Sequence, residues 1–365
     1  MPTIAEEILA ETEYTENGII GKTTAPLGTE KTEKRENGIS STCRQPEKRD
    51  NGKLKEKEEQ AIYDIITAMD QHTGHGHRAA IAFSGGSDSL VLLDLYFRSR
   101  SHSAYLDNPD YALQAAAYVI WIDTQMEYPG TREFIQDTVQ HYNLDLRIAK
   151  ADRTPQDQWR RTGYPMLGKM AARLWMQKNK GLGFSINVSE CCRAMKIQPA
   201  RRLTRNLGCS LQITGQRGQQ DDQVRGLRKL KDGIIFYQER DRIWISNPLT
   251  GWTDEEISRY IKDYSLEEHP ARAKGAKTIG CIYCGGGSQY TNSGFRVLRF
   301  ADAAAWKTLI IDYNTGPIIL ALKYKQSLFH INLIIESIGG LSLLAHTRPW
   351  IFDFTRKTPL KGYNK

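Results

Sequence analysis

The stretch AAIAFSGGSDS, residues 79–89, runs from five apolar or small residues into paired glycines set between hydroxyls. Ala79–Phe83 has the continuous apolar character of a strand buried on both faces, and Asp88–Phe97 reads as a helix. A strand that stops at Gly85-Gly86 and resumes at once as a helix has a loop almost without side-chain bulk. Glycine tolerates positive φ and lets the main chain come close to a ligand. Backbone N–H groups, the hydroxyls of Ser84, Ser87 and Ser89, and the start of the helix can then form an anion nest. No Lys-Ser/Thr pair follows, so this is not a Walker A loop. Taken alone, S-G-G also suits an ordinary strand-to-helix turn.

Working outward, the same alternation recurs. KLKEKEEQAIYDIITAMDQ (53–71) places Ile62, Ile65, Ile66 and Met69 at helical spacing. Ala117–Ile122 and Leu144–Ala149 read as strands around a helix at Thr131–His141. Met166–Asn179 and Ala194–Asn206 read as helices, Leu211–Thr214 as a strand, and Asp254–Tyr264 as a helix capped by Thr253. The expected fold is α/β: a doubly wound, mainly parallel sheet with a helical C-terminal extension. Ligands in such folds sit at the carboxyl ends of the strands.

Three segments are expected: residues 1–52 as a disordered tail, 53–286 as the sheet domain, and 287–365 as the extension. The tail is rich in Glu, Lys, Thr, Gly and Asn and buries too little to offset its ordering entropy. It carries 7 Lys/Arg against 10 Asp/Glu, leaving 43 against 32 for the rest. That basic balance suits anionic partners such as nucleotides or nucleic acid, although a solvated basic surface has the same composition. No apolar run reaches the ~18 residues of a membrane span. The first residues have no apolar signal core, so the expectation is a cytoplasmic protein without a membrane partner.

The string SGGSDS resembles the PP-loop of the adenine nucleotide alpha hydrolases, which cleave the α–β bond of ATP. Further segments resemble one branch, the phosphoadenosine phosphosulfate (PAPS) reductase family: WIDTQMEYPGT (121–131), ECCRAMKIQP (190–199), QITGQR (212–217), NPLTGWTDEEISRYI (247–261) and IGCIYCGG (279–286). The resemblance implies a nucleotide site made by Ser84, Gly85, Gly86, Ser87, Asp88 and Ser89, with Asp123 and Thr124 near the adenosine. Asp123 also suits a turn cap. Thr214, Gly215 and Arg217 match the family's T-G-x-R, where the arginine offers a fork to phosphate or sulfate. The match then loosens, and Arg225 stands one residue late as a second phosphate ligand or as a surface arginine.

Cys191-Cys192, 88 intervening residues, and Cys281-x-x-Cys284 form a ligand-like pattern that leaves Cys43 and Cys209 over. Adjacent cysteines on a helix point about 100° apart, which suits a polynuclear cluster better than one tetrahedral ion. The set resembles the one that binds a [4Fe–4S] cluster in cluster-bearing adenosine phosphosulfate (APS) reductases, and zinc remains the alternative. Lys196 would offset the charge of cluster and nucleotide. Ser84, Asp88, Ser89 and Lys196 are thus the expected catalytic residues.

APS and PAPS reductases carry a mobile nucleophilic cysteine in an E-C-G-L-H segment near the C-terminus. None stands after Cys284 here, which leaves Cys43 or Cys209 as a displaced thiol. Relatives without it include the ATP pyrophosphatases of DNA phosphorothioation, and tRNA thiolases of the PP-loop type act similarly. The expected function is ATP-dependent sulfur transfer with Mg²⁺ on the leaving pyrophosphate. DNA or tRNA would accept the sulfur and a cysteine desulfurase would donate it. An APS/PAPS reductase and a regulatory nucleotide-binding subunit are the alternatives.

Overall fold

The computed structural model describes residues 3–10, 14–15, 18–19, 51–73, 78–101, 117–162, 165, 188–218, 234–276, 278–284, 298–300, 302–312, 315–324 and 326–352. Arg225, Cys43 and the helix expected at 166–179 lie outside them.

Six strands form one sheet: β1 (Arg78–Ala82), β2 (Ala117–Asp123), β3 (Asp145–Lys150), β4 (Cys209–Ile213), β5 (Ile235–Gln238) and β6 (Ile243–Ser246). Their spatial order is β3-β2-β1-β4-β6-β5. All neighbours are parallel except β5, which pairs with β6 antiparallel. The chain winds outward from β1 to β3 and then returns to β4 on the other side of β1. Strand order therefore reverses between β1 and β4, the switch point at which such sheets open a crevice. The α/β expectation holds. The β5–β6 hairpin went unread, although two short β-branched and aromatic runs around the charged turn ERDR do signal one.

Helices α1 (Ile4–Ala10), α2 (Asn51–His72), α3 (Ser87–Ser99), α4 (Thr131–His141) and α5 (Pro155–Thr162) lie in the first half. On α2, Ile62, Ile65, Ile66 and Met69 are all buried, as their spacing predicts. After α6 (Val188–Cys192) come a π turn (Arg193–Ile197) and α7 (Gln198–Asn206). The expected continuous helix widens here for a local reason. Pro199 has no N–H to give and its ring crowds the preceding turn. The N–H of Gln198 bonds to the carbonyl of Arg193, five residues back. Next comes α8 (Asp254–Asp263), whose Thr253 forms the expected cap and completes a capping box with Glu256. Glu256 also pairs with Lys57 at 2.7 Å, tying α8 to α2.

The C-terminal part folds as α9 (Ala303–Lys307), a second π turn (Thr308–Asp312), α10 (Thr315–Tyr324), α11 (Leu328–Ser337), α12 (Leu341–Thr347) and a short 3₁₀ turn (Pro349–Phe352). Two hydrophobic cores result. One joins the sheet to α2, α3 and α8. The other is built largely from the extension, with Trp306, Leu309, Ile319 and Phe352, yet it also holds Met126, Trp159, Cys191, Met195 and Ile282. The extension thus packs on the cysteine segments. No single helix among the described residues is long and apolar enough to cross a membrane.

Residues 3–10 depart from the disordered-tail expectation. Thr3 and Glu6 cap α1 reciprocally, with Thr3 N–H donating to Glu6 Oε2 at 2.5 Å and Glu6 N–H to Thr3 Oγ1 at 3.3 Å. Ile8 is fully buried in the second core. T-x-x-E ahead of an apolar pair was the available signal. Ile8→Ala should therefore cost about 2–4 kcal/mol of stability. A denaturation midpoint equal to wild type would show that α1 is not docked.

Candidate active site at the switch point

The phosphate-type loop leaves β1 and enters α3 with no side chain capping the helix start. Gly85 has φ +78°, a left-handed conformation that favours glycine, and a Cβ there would stand 3.3 Å from the tip of Ile135. Gly86 is extended instead, at φ −81°. Ser84 and Ser89 bracket the loop. Their Oγ atoms are 3.1 Å apart, and Ser89 Oγ donates to the Gly86 carbonyl at 2.9 Å.

The loop after β4 abuts it. A Cβ on Gly215 would stand 2.9 Å from the Asp88 carbonyl oxygen and 3.2 Å from the Ser89 nitrogen. Neither backbone atom can step aside, so only glycine permits this contact. Thr214, 7 % exposed, donates to Asn247 Oδ1 at 2.5 Å. Arg217 is equally buried, and its guanidinium is committed to the protein. Nε stands 3.0 Å from Asp88 Oδ1, Nη2 donates to Asp254 Oδ1 at 2.5 Å, and Nη1 donates to the Trp252 carbonyl at 3.4 Å. Burial works against its charge, but Asp88 and Asp254 outweigh burial and raise its pKa. The fork expected to grip phosphate therefore clamps the two loops together.

A cleft of about 1820 Å³ extends from these loops, with Ser84, Gly86, Ser87, Asp88, Ser89, Thr214, Gly215 and Arg217 on its wall. It continues past Ile120, Trp121 and Ile122 and under α7 to a basic rim of Arg201, Arg205, Arg240 and Arg242. Arg201 pairs with Asp241 at 2.7 Å. Asp123 and Thr124 are not among the described residues lining this cleft. Asp123 accepts from the Gln125 N–H at 3.0 Å and pairs with Arg132, which is the turn-cap alternative. Thr124 donates to Glu127 Oε1 at 2.5 Å and lies 3.4 Å from Cys281 Sγ. Glu127, unread in the sequence, lines the cleft instead.

The four cysteines meet in a second, small cavity with Met126, Pro165, Met195 and Lys196. The C-x-x-C turn is held there by the Ile282 N–H, which donates to the Met126 carbonyl at 2.7 Å. Burial pushes the Cys191 thiol up to about 12, with Cys281, Cys192 and Cys284 adding to the shift and Trp159 opposing it. The Lys196 pKa is raised too, which for a lysine favours the charged form: Cys281, seconded by Cys192 and Cys284, outweighs burial. An iron–sulfur centre in this cavity would need all four cysteines as thiolates, and burial of Cys191 opposes that unless a cation is bound. Among the described residues no group of three His, Cys, Asp or Glu side chains is arranged for a metal ion. Lys196 lines both cavities, and its ammonium interacts with Cys281.

The chain is similar to known proteins over part of its length. A PAPS reductase of Aliivibrio fischeri (strain MJ11) is 25 % identical over 218 residues, covering 59 % of this chain and 70 % of the relative. An APS reductase of Oceanobacillus iheyensis is 25 % identical over 211 residues, covering 58 % and 72 %. Among solved structures, the Candida auris PAPS reductase phosphate complex aligns with TM-score 0.40 and 18 % identity, over 62 % of this chain and 93 % of that one. The model of the phosphoadenosine phosphosulfate reductase domain matches residues 78–286, which span the sheet, both loops and all four paired cysteines, and the chain belongs to that family.

Proposed function

We propose that the chain uses MgATP to adenylate an acceptor for sulfur insertion, with a [4Fe–4S] cluster held by Cys191, Cys192, Cys281 and Cys284. The carrying observation is that Lys196 lines both the nucleotide-type cleft and the thiol cavity. When bound, the cluster would supply iron able to hold or deliver sulfur. The chain's own residues do the rest. The amides of residues 84–89 and the hydroxyls of Ser84 and Ser89 bind phosphate oxygens. Asp88, clamped by Arg217, sets the loop spacing. Lys196 would place positive charge beside the α–β bridging oxygen, where negative charge grows as pyrophosphate leaves.

The rim of Arg201, Arg205, Arg240 and Arg242 favours a polyanionic acceptor, DNA or tRNA, because guanidinium rows suit phosphodiesters. The sulfur would come from a cysteine desulfurase. The second reading is APS or PAPS reduction, favoured by the names of the curated relatives.

Pyrophosphate release from ATP under anaerobic conditions tests the first reading, and sulfite release from APS or PAPS the second. Ser84→Ala should lower pyrophosphate release about 10- to 100-fold, the cost of one charge-assisted hydrogen bond, with little change in melting temperature. Wild-type rates would remove the loop from the site. Gly215→Ala should abolish turnover and lower stability by about 1–3 kcal/mol, because the new methyl group meets backbone. Full activity would show that the loop contact is dispensable.

Protein purified without oxygen should carry about four irons per chain and lose them on Cys191→Ser or Cys284→Ser. Cys209→Ser should leave iron content intact. One zinc and no iron would make the thiol site structural.

A further inference from the structure

Beside the phosphate-type loop, side chains from two distant segments close on one another. Ser87 Oγ donates to Glu268 Oε1 at 2.6 Å. Arg272 Nη2 donates to that same Ser87 oxygen, and its Nε stands 3.4 Å from Glu268 Oε1. Arg272 Nη1 also donates to the Ala276 carbonyl at 3.3 Å. Ser87 and Arg272 both line the cleft. The turn that carries Arg272 is anchored by His269. His269, between Glu268 and Arg272, is 1 % exposed, hydrogen-bonds Thr131 Oγ1 through Nε2 at 2.8 Å, and accepts the Ala271 N–H at Nδ1 at 3.0 Å. The side chains that hang from it are freer, with Arg272 and Glu268 31 % and 36 % exposed.

A carboxylate held by a serine hydroxyl and a guanidinium, on the wall of a phosphate-type cleft, occupies donors that a phosphate group would use. The other cleft guanidinium near the loop, Arg217, already has its fork on Asp88, Asp254 and a carbonyl. We infer that Glu268 is an internal place-holder for phosphate and that Arg272 is the phosphate-gripping arginine of this site. An incoming polyphosphate displaces the Glu268 carboxylate from Ser87 and Arg272 and takes both donors. Without ligand, the place-holder keeps Arg272 folded over the loop and neutralises its charge. With ligand, Glu268 moves to solvent, which its exposure allows. This inference rests on the nucleotide reading of the cleft and adds the residue pair that regulates occupancy.

Titration of the full chain with ATP, and separately with inorganic pyrophosphate, tests it. Glu268→Gln should tighten both about two- to fivefold, the strength of a partly exposed ion pair removed from competition. Arg272→Ala should weaken both about tenfold or more, with partial rescue in Arg272→Lys. Adding Glu268→Gln to Arg272→Ala should tighten binding less than Glu268→Gln does in the wild-type background, because only the Ser87 hydroxyl is then left to compete for. A merely structural Glu268 would not produce tighter binding. Unchanged or weaker binding in Glu268→Gln overturns the place-holder, and wild-type affinity in Arg272→Ala overturns the arginine's role. Tightening in Glu268→Gln without any pyrophosphate release by wild type would leave the place-holder standing and sink adenylation. Pyrophosphate release with unaltered affinity in Glu268→Gln would do the reverse.

Discussion

The close contact between the two loops at the switch point constrains everything around it. Gly215 lies against the backbone of Asp88 and Ser89 at a distance no side chain tolerates. That contact brings the ends of β1 and β4 within reach of one ion-pair set, Asp88–Arg217–Asp254. A buried arginine between two carboxylates is costly unless its charge is compensated. Here the compensation doubles as a clamp, so loop geometry and local electrostatics cannot be changed separately. The loop after β1 is thereby presented open to the cleft, with Arg217 on the wall beside it and its guanidinium paired to Asp88 and Asp254.

What was legible in the sequence was local. The apolar run, the paired glycines and the hydroxyls lie within eleven residues, and their chemistry forces a strand, a tight loop and a helix in that order. Thr253 and Glu256 announce α8 in the same way. The cysteine pairs could be grouped by spacing alone. Less legible were features whose cause is remote. Gly215 needs to be glycine because of Asp88, 127 positions earlier in the chain, and T-G-x-R does not say so. For Asp123 the resemblance implies a place near the adenosine, and the structure adds partners the sequence did not show, Arg132 and the Gln125 N–H. Arg272 carries no motif, and only the turn anchored by His269 delivers it to Ser87. Residues 3–10 looked like part of a polar tail because composition was averaged over 52 residues, which hid one capped helix with one buried isoleucine.

The second core explains why the extension belongs to the same structure as the cysteines. Cys191 and Met195 project from α6 and the π turn into the cluster that holds Trp306, Ile319 and Phe352. The π turn matters in two ways. It absorbs Pro199, and it rotates Lys196 relative to a regular helix, so that the ammonium reaches the thiol cavity while α7 lines the cleft. Low polarity around the thiols strengthens their mutual repulsion, and the same low polarity strengthens the pull of Lys196. The site is therefore tuned by its apolar cover as much as by its donors.

The position of the remaining described cysteine bears on which chemistry the cleft can run. Cys209 opens β4, whereas Thr214 and the phosphate-type loop lie at the other end of that strand. Five residues of extended chain separate the two by roughly 17 Å. Burial pushes the Cys209 thiol up to about 11, so at neutral pH it is almost wholly protonated and a weak nucleophile. The other described thiols converge on the second cavity and would leave it only by giving up that arrangement. A thiosulfonate step at the phosphate end of the cleft would therefore need a thiol delivered from elsewhere. The proposed adenylation would need none, because its nucleophile would arrive with the acceptor.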